Sequence, residues 1–506
     1  MSLRPRAITA TVVLSVVLAT SLVLASTTAL VLMAALLIFG VACLAPQSGA
    51  SSRILWWMNP SWALLLAVIP GLILCMFLPE NIFIERWGTP KYVTVGHVML
   101  MAALAITFVV GAQLVSKAIS SRPSENFFTN LSEDTQTRLE RATRFLFWLT
   151  VAGYALWATI GVARGLRAPD VSNIFTGGGV HQAKNFLAPV AGVTTMTQFG
   201  PLAVVCLILL RHVGSELLTG RYLVALLALA TVRNFVYAER VAILELAIPA
   251  IVLFLALPRP RMKRRAILTV LPLWAPIALL IFFGSFEYFR SYSTPYGRDQ
   301  NAGRSYADYT VSRVGAYYAT APNNGVLVQR SDQRKNHVPY YVLSAAWTFP
   351  LIGGTVPHER LAGTNVGRDY ETALEADANP EYNNTAALLL PVFDLGVTGA
   401  FAFWLLIGAA VGVVYRRFKA ADIRGLLLYP VLFIGVVESG LILYWPTGRA
   451  IPSIVAGVVL AGVLYRVKEK TMAAESSREG LDKRRQESSA GSPVELMGVG
   501  NSRIIS

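Results

Sequence analysis

Apolar runs of about 17 to 25 residues recur along almost the whole chain, and no other feature limits its fold as tightly. A run of that length crosses a hydrocarbon layer as a helix, because in lipid every backbone N–H and C=O must find its partner inside the segment. The chain therefore reads as an all-α, polytopic integral membrane protein. Composition agrees, with 54% hydrophobic and 14% charged residues and a mean hydropathy of +0.53. The expected spans are 7 to 26, 28 to 46, 61 to 79, 93 to 116, 145 to 163, 191 to 210, 222 to 238, 241 to 257, 266 to 285, 397 to 415, 426 to 444 and 450 to 466.

Basic residues orient these spans, since cytoplasmic connections retain Lys and Arg. Alternate connections hold Arg4 and Arg6, then Arg53, then Lys117 with Arg122, Arg138, Arg141 and Arg144, then Arg211 and Arg221. The pattern continues with "RPRMKRR" (259 to 265), "YRRFK" (415 to 419), and Arg466, Lys468 and Lys470. About twelve spans with both termini inside put all of them on one face. The net charge of +15 is then topological charge beside acidic headgroups, not a nucleic-acid signature. A signal peptide competes for residues 7 to 26, but the second run follows at once and favours a retained hairpin. Cys43, Cys75 and Cys206 sit in or beside apolar runs, with neither a disulfide framework nor metal-ligand spacing. The polar end of the chain, 467 to 506, reads as a disordered cytoplasmic tail.

Spans one to nine thus occupy 1 to 285, and one connection, 286 to 383, is long enough to be a small domain on the outside. Connections of that length in compact proteins are usually functional. This one carries eight arginines, Arg290, Arg298, Arg304, Arg313, Arg330, Arg334, Arg360 and Arg368, against the single lysine Lys335. A guanidinium offers a planar fork of donors to phosphates, carboxylates and sugar hydroxyls, although a bias toward arginine codons would leave the same composition. Within it, "SYADYTVSRVGAYYATAP" (305 to 322) reads as a helix capped by Ser305 and ended by Pro322. Tyr309, Arg313 and Tyr317 then share one face, as rings that stack on sugar beside an anion-binding arginine, or as ordinary packing against the membrane surface. The stretch "VPYYVLSAAWTFP" (338 to 350) is too short to span and reads as an interfacial or re-entrant helix.

Residues 384 to 466 hold the interfacial helix and spans ten to twelve. Pro391, Asp394, Gly396 and Gly399 interrupt the apolar run of 381 to 418, so a helix along the outer interface is expected to bend at Pro391 and enter the bilayer near Gly396. Asp394 sits at the rim, as a general base or acceptor-orienting group, or else as the cap of the spanning helix. The charges of "TVRNFVYAERVAILE" (231 to 245) raise a similar choice. Arg240 and Arg233 lie two turns apart with Tyr237 between them, and could face one anion together. Alternatively Arg240 pairs with Glu245 and Arg233 with another acid, since charges at membrane depth are rare without pairing or function. Glu438, placed deep in the eleventh span, is either functional or the partner of Arg449 or Arg233.

An external Tyr- and Arg-rich loop, then "EYNNT", a short apolar stretch, "FDLG" and "TGAFAFWLLIGAAVGVVYRRF", resembles the oligosaccharide repeat-unit polymerase family, the Wzy-type O-antigen and capsule polymerases of bacteria. "AERVAILELAIPAIVLFL" (238 to 255) is similar to that family's upstream arginine element, and "RSYADYTVSRVGAYYATAPNNG" (304 to 325) to its external tyrosine-rich segment. The resemblance covers roughly the second half of the chain and implies a GT-C-like polymerase or ligase architecture. It implies a metal-independent glycosyltransferase, with no cofactor, in the bacterial cytoplasmic membrane. A growing glycan on undecaprenyl pyrophosphate would be transferred to the next lipid-linked repeat unit at the outer face. Arg240, Asp394 and Arg313 are then the expected catalytic residues. Arg233, Tyr237, Arg290, Tyr309, Tyr317, Arg334, His337 and Asn384 are the expected substrate-binding residues. The expected partners are the lipid-linked oligosaccharide and the bilayer, with flippase and chain-length regulator proteins as candidates and no nucleic acid. Two alternatives stand: an O-antigen ligase-type transferase using His337 or His358, and a transporter or flippase of lipid-linked glycans, to which Glu438 lends support.

Overall fold

The computed structural model describes residues 54–118, 127, 132–175, 181–190, 192–215, 217, 219–237, 241–257, 268, 271–288, 292, 305–349 and 353–466. The expected spans 7 to 26 and 28 to 46, the "RPRMKRR" connection and the C-terminal tail lie outside these residues. Among the described residues every regular element is helical and none is a strand. Helices stand at each expected span from 61 onward: α1 Pro60–Phe77, α2 Val95–Ala118, α3 Glu133–Ala163, α4 Val193–His212, α5 Thr219–Tyr237, α6 Val241–Ala256 and α7 Leu271–Glu287. After the polar segment, with its long helices α8 Tyr306–Arg330 and α9 Val366–Asp377, come α10 Leu390–Lys419, α11 Ile423–Glu438 and α12 Ile451–Arg466. Five of these, α1, α2, α3, α4 and α10, are long and apolar enough to cross a membrane by length and composition.

Helix α4 is the axis of the bundle. Its residues from Leu202 to Leu210 are all buried, which fits a helix apolar on every side and ringed by α3, α5, α6 and α11. Large apolar side chains such as Met99, Ile106, Leu114, Trp148, Val224, Leu406 and Val459 face outward on the peripheral helices, the surface that a lipid environment covers. Between α2 and α10 the backbones come into contact. Gly408 lies on the Phe108 carbonyl, Gly412 on that of Ala112 and Gly111 on that of Leu405, positions that leave no room for a Cβ. Small residues four apart permit this close approach, the usual substitute in lipid for a hydrophobic driving force.

The bundle has two chemically distinct ends. At one lie the basic last turn of α10, with Arg416, Arg417 and Lys419, and the start of α11, where the Arg424 guanidinium lies 3.9 Å from the centre of the Tyr465 ring and Phe127 N–H donates to Ala421 O at 3.1 Å. At the other, the polar segment sits on the helix ends. Asn323 of α8 accepts from Tyr92 and Val93 N–H through Oδ1, at 2.6 and 3.1 Å, and donates to Pro90 O at 2.9 Å, stapling the entry of α2.

Four local expectations change. Helix α8 begins as expected, with Ser305 Oγ accepting from Asp308 N–H at 3.2 Å, but runs through Pro322 to Arg330. Proline inside a helix forfeits the bond to the carbonyl four residues back, here Tyr318, at a cost of about 3 kcal/mol. That carbonyl lies against Gly71 of α1, the neighbouring Ala319 carbonyl accepts from Cys75 Sγ at 3.1 Å, and nearly all of Tyr309 to Val328 is buried. Packing thus outweighs the missing bond. Secondly, residues 383 to 389 form no interfacial helix: Ala386 and Ala387 N–H donate to Leu441 and Ser439 carbonyls, at 3.0 and 3.1 Å. The bend falls at Gly396, whose φ of 70° only glycine adopts freely, with Pro391 in the first turn of α10 where it costs nothing. Thirdly, α11 stops at Glu438 instead of continuing to 444. Gly440, Pro446 and Gly448 oppose a helix, and the chain folds back so that Trp445 Nε1 donates to Leu432 O at 2.9 Å across Gly435. Glu438 is consequently a helix end, not a mid-span residue.

Fourthly, the described part of the expected interfacial or re-entrant helix, 338 to 349, is shorter than one. It holds a 3-10 turn, Tyr341–Leu343, and one helical turn, Ser344–Thr348, moored by Ala345 N–H and Ser344 Oγ to Pro446 O at 2.7 and 2.8 Å.

Candidate functional site

Three charged clusters lie at the end of the bundle that carries the polar segment. The first is centred on Arg313. Tyr309, Arg313 and Tyr317 do share one face of α8, and that face is buried. Arg313 Nε lies 2.5 Å from Glu287 Oε2 at the end of α7, and Nη1 donates to Glu381 Oε2 at 2.6 Å. Its guanidinium lies 5.3 Å from the Tyr382 ring centre and 5.7 Å from that of Tyr309. Burial works against the charge, but Glu287 and the tyrosines more than offset it, so the guanidinium pKa lies above the ordinary arginine value. Tyr317 is enclosed too, its ring 5.2 Å from Tyr382 and 5.6 Å from Phe283. These residues form a packed, charge-compensated joint between α7, α8 and the 381–382 turn, and Tyr309 and Tyr317 present no open ring face to a sugar.

The second cluster joins the polar segment to α10. Asp394 is fully enclosed: Oδ1 accepts from Tyr340 N–H at 2.9 Å and Oδ2 from Val342 N–H at 2.7 Å, while Arg334 Nη1 stands 3.4 Å away. Arg334 also donates to Asp332, to Val338 O and to Phe393 O, with its guanidinium 3.9 Å from the centre of the Phe393 ring. Hydrogen bonds from Arg334 hold the Asp332 carboxyl below its usual range against the opposing push of burial. The Asp394 side-chain bonds go to the 340–342 turn and not to the start of the helix beyond Gly396, so the geometry is that of an anchor, with its lone pairs already engaged. His358 packs edge-on against Tyr340 and Trp347, and Nε2 contacts Val338 O at 3.1 Å. His337 is exposed, and Asn384 contributes its backbone carbonyl, which accepts from Asn324 Nδ2 at 3.1 Å.

Replacing Asp394 with asparagine turns one acceptor toward a backbone N–H into a donor. The expected outcome is a loss of about 1–3 kcal/mol of stability, the cost of an orphaned buried donor, together with faster proteolysis near 338–349. An unchanged thermal midpoint and cleavage pattern would refute the anchoring role.

The third cluster lies within the bundle, where α3 and α5 end and α4 and α6 begin. Arg233 is buried; Nη1 donates to Thr197 Oγ1 at 2.8 Å, and its guanidinium lies 5.7 Å from the Trp157 ring centre. Glu245, one turn into α6, accepts from Tyr444 OH at 3.0 Å and faces Arg449 Nη1 at 3.6 Å. Arg233 and Glu438 are both within electrostatic reach of the same carboxylate. Arg449, weighed from sequence as a partner of Glu438, faces Glu245 instead; Arg240, the partner expected for Glu245, lies outside the described residues, as does Arg290, and Tyr237 is described only as the last residue of α5.

Sequence reasoning missed Glu287, Glu381 and Tyr444. An acid closing an apolar run, as Glu287 does, was the available signal. Chemically, the third cluster alone combines two guanidiniums, two carboxylates and hydroxyl donors at one place on the bundle end. Comparison with protein-family models, with curated proteins and with solved structures returns no match to this chain.

Proposed function

We propose that the protein is a membrane glycosyltransferase that joins polyprenyl-pyrophosphate-linked oligosaccharide repeat units into a surface or exopolysaccharide. It would work at the outer face of the bacterial cytoplasmic membrane, on a GT-C-like plan of about twelve spans. The observation that carries this reading is the convergence of Arg233 and Arg449, from separate segments, beside Glu245 under the polar segment. A leaving pyrophosphate at a lipid surface needs charge-assisted donors that are fixed before reaction, and a pair of planar guanidiniums supplies them. Arg240, next in the chain after α5, is the expected third donor, and the glycan would lie along the polar segment above. On this reading Arg313 and Arg334 hold the polar segment in place instead of touching substrate.

The test is to supply purified protein with a lipid-linked repeat unit. A ladder of longer lipid-linked glycans is expected; transfer to a non-lipid acceptor would favour the ligase, and movement of the donor across vesicles without elongation the transporter. The reading also requires the polar segment to be outside. Single cysteines at His337 and Lys419, both exposed, should differ in a cysteine-free background: 337 labelled by an impermeant thiol reagent on intact cells, 419 protected. The reverse pattern would remove the outer-face mechanism.

A further inference from the structure

Among the described residues the buried carboxylates are Glu245, Glu287, Asp394, Asp422 and Glu438. Four have strong partners: Glu245 with Arg449 and Tyr444, Glu287 with Arg313, Asp394 with Arg334 and two backbone N–H groups, and Asp422 with Arg424. Glu438 differs. It is 7% exposed, and its carboxylate makes no hydrogen bond or ion pair with any described residue. Its backbone is nonetheless pinned, the Leu441 and Ile442 N–H groups both donating to its carbonyl at 2.8 Å. The titratable groups within reach are Glu245 of α6, Tyr318 of α8 and Tyr444 of the 439–450 turns.

A buried carboxylate without a partner is costly, and such groups in a membrane bundle are retained mainly where they act on a substrate or proton. A general base must also keep a lone pair free and lie within reach of the proton it takes. Both oxygens of Asp394 are engaged and Glu245 Oε1 is held by Tyr444 and Arg449, whereas no described residue engages either oxygen of Glu438. It lies within electrostatic reach of Glu245, the carboxylate that Arg449 faces at 3.6 Å, at the same end of the bundle.

We propose that Glu438 is the catalytic base of the transfer, an assignment that rests on the glycosyltransferase reading. The acceptor sugar hydroxyl gives its proton to the Glu438 carboxylate as its oxygen lone pair forms the bond to the donor's anomeric carbon. The anomeric C–O bond to phosphate breaks, and its electron pair leaves on the polyprenyl pyrophosphate, held by the arginines. The proton on Glu438 passes to water before the next cycle.

The experiment compares wild type, Glu438→Gln and Glu438→Asp in the elongation assay across pH. Glu438→Gln should lower kcat by ~100-fold or more, with KM for the lipid-linked donor little changed and the fall in rate toward acid pH abolished. Glu438→Asp, with the carboxylate drawn back by one methylene, should keep that acid limb at reduced kcat. A ladder in wild type with unaltered kcat in Glu438→Gln overturns this assignment alone. No ladder in wild type overturns the transferase reading and this assignment with it. If Glu438→Gln does not elute as wild type in gel filtration, Glu438→Asp decides: loss of the acid limb or a wild-type kcat overturns the assignment.

Discussion

Arg313→Gln is expected to lower the thermal midpoint of the detergent-solubilised protein further than any other single substitution in the polar segment. The change leaves Glu287, whose side chain is fully enclosed, as an uncompensated charge between α7 and α8. Removing one member of a buried pair costs about 3–5 kcal/mol, most of it the desolvation of the charge left behind. Glu381 adds little, because its side chain is 37% exposed and can rehydrate. The double variant Glu287→Gln/Arg313→Gln removes both charges and should recover most of the loss. If Arg313→Gln melts with wild type, or if the double variant is worse than the single, the joint is not what holds α8 to α7.

A large effect on turnover is likewise expected of Arg233→Lys. Lysine keeps the charge but not the planar fork that donates to Thr197 beside the Trp157 ring, so it cannot present two parallel donors to a phosphoryl group. Losing a preorganised donor to a developing anion typically costs on the order of 100-fold in rate. Turnover in the elongation assay should fall by about that factor while the protein accumulates in the membrane normally, and Arg240→Lys should behave alike. If these charges are only a clasp between helices, Arg233→Lys should remain active and Glu245→Gln should instead be the harmful change.

What could be read from the sequence divides along physical lines. Helix positions were legible because lipid demands continuous apolar runs, and helices stand where the runs from 61 onward predict them. The Ser305 cap was legible because its signal is local. Pro322 was misleading, since its cost is local but the burial that outweighs it comes from α1, far away in sequence. The same holds for the site. Arg313, Arg334 and Asp394 stood out as charges in suggestive places, yet whether each is free or spent depends on Glu287, Glu381 and the 340–342 backbone, partners that only the fold brings near. Glu438 stands out for its charge in an apolar run; that it ends a helix and has no partner among the described residues depends on the turn at 439–450.

The most direct measurement follows carrier release and glycan length in one reaction. Purified protein in vesicles would be given a polyprenyl-pyrophosphate-linked repeat unit labelled in the lipid and in the sugar. The proposed function predicts one free polyprenyl pyrophosphate for each repeat unit added, with every lengthened glycan still on a lipid carrier. Glycan that crosses the vesicle membrane with no carrier released, or carrier released with no lengthened lipid-linked glycan, would contradict it.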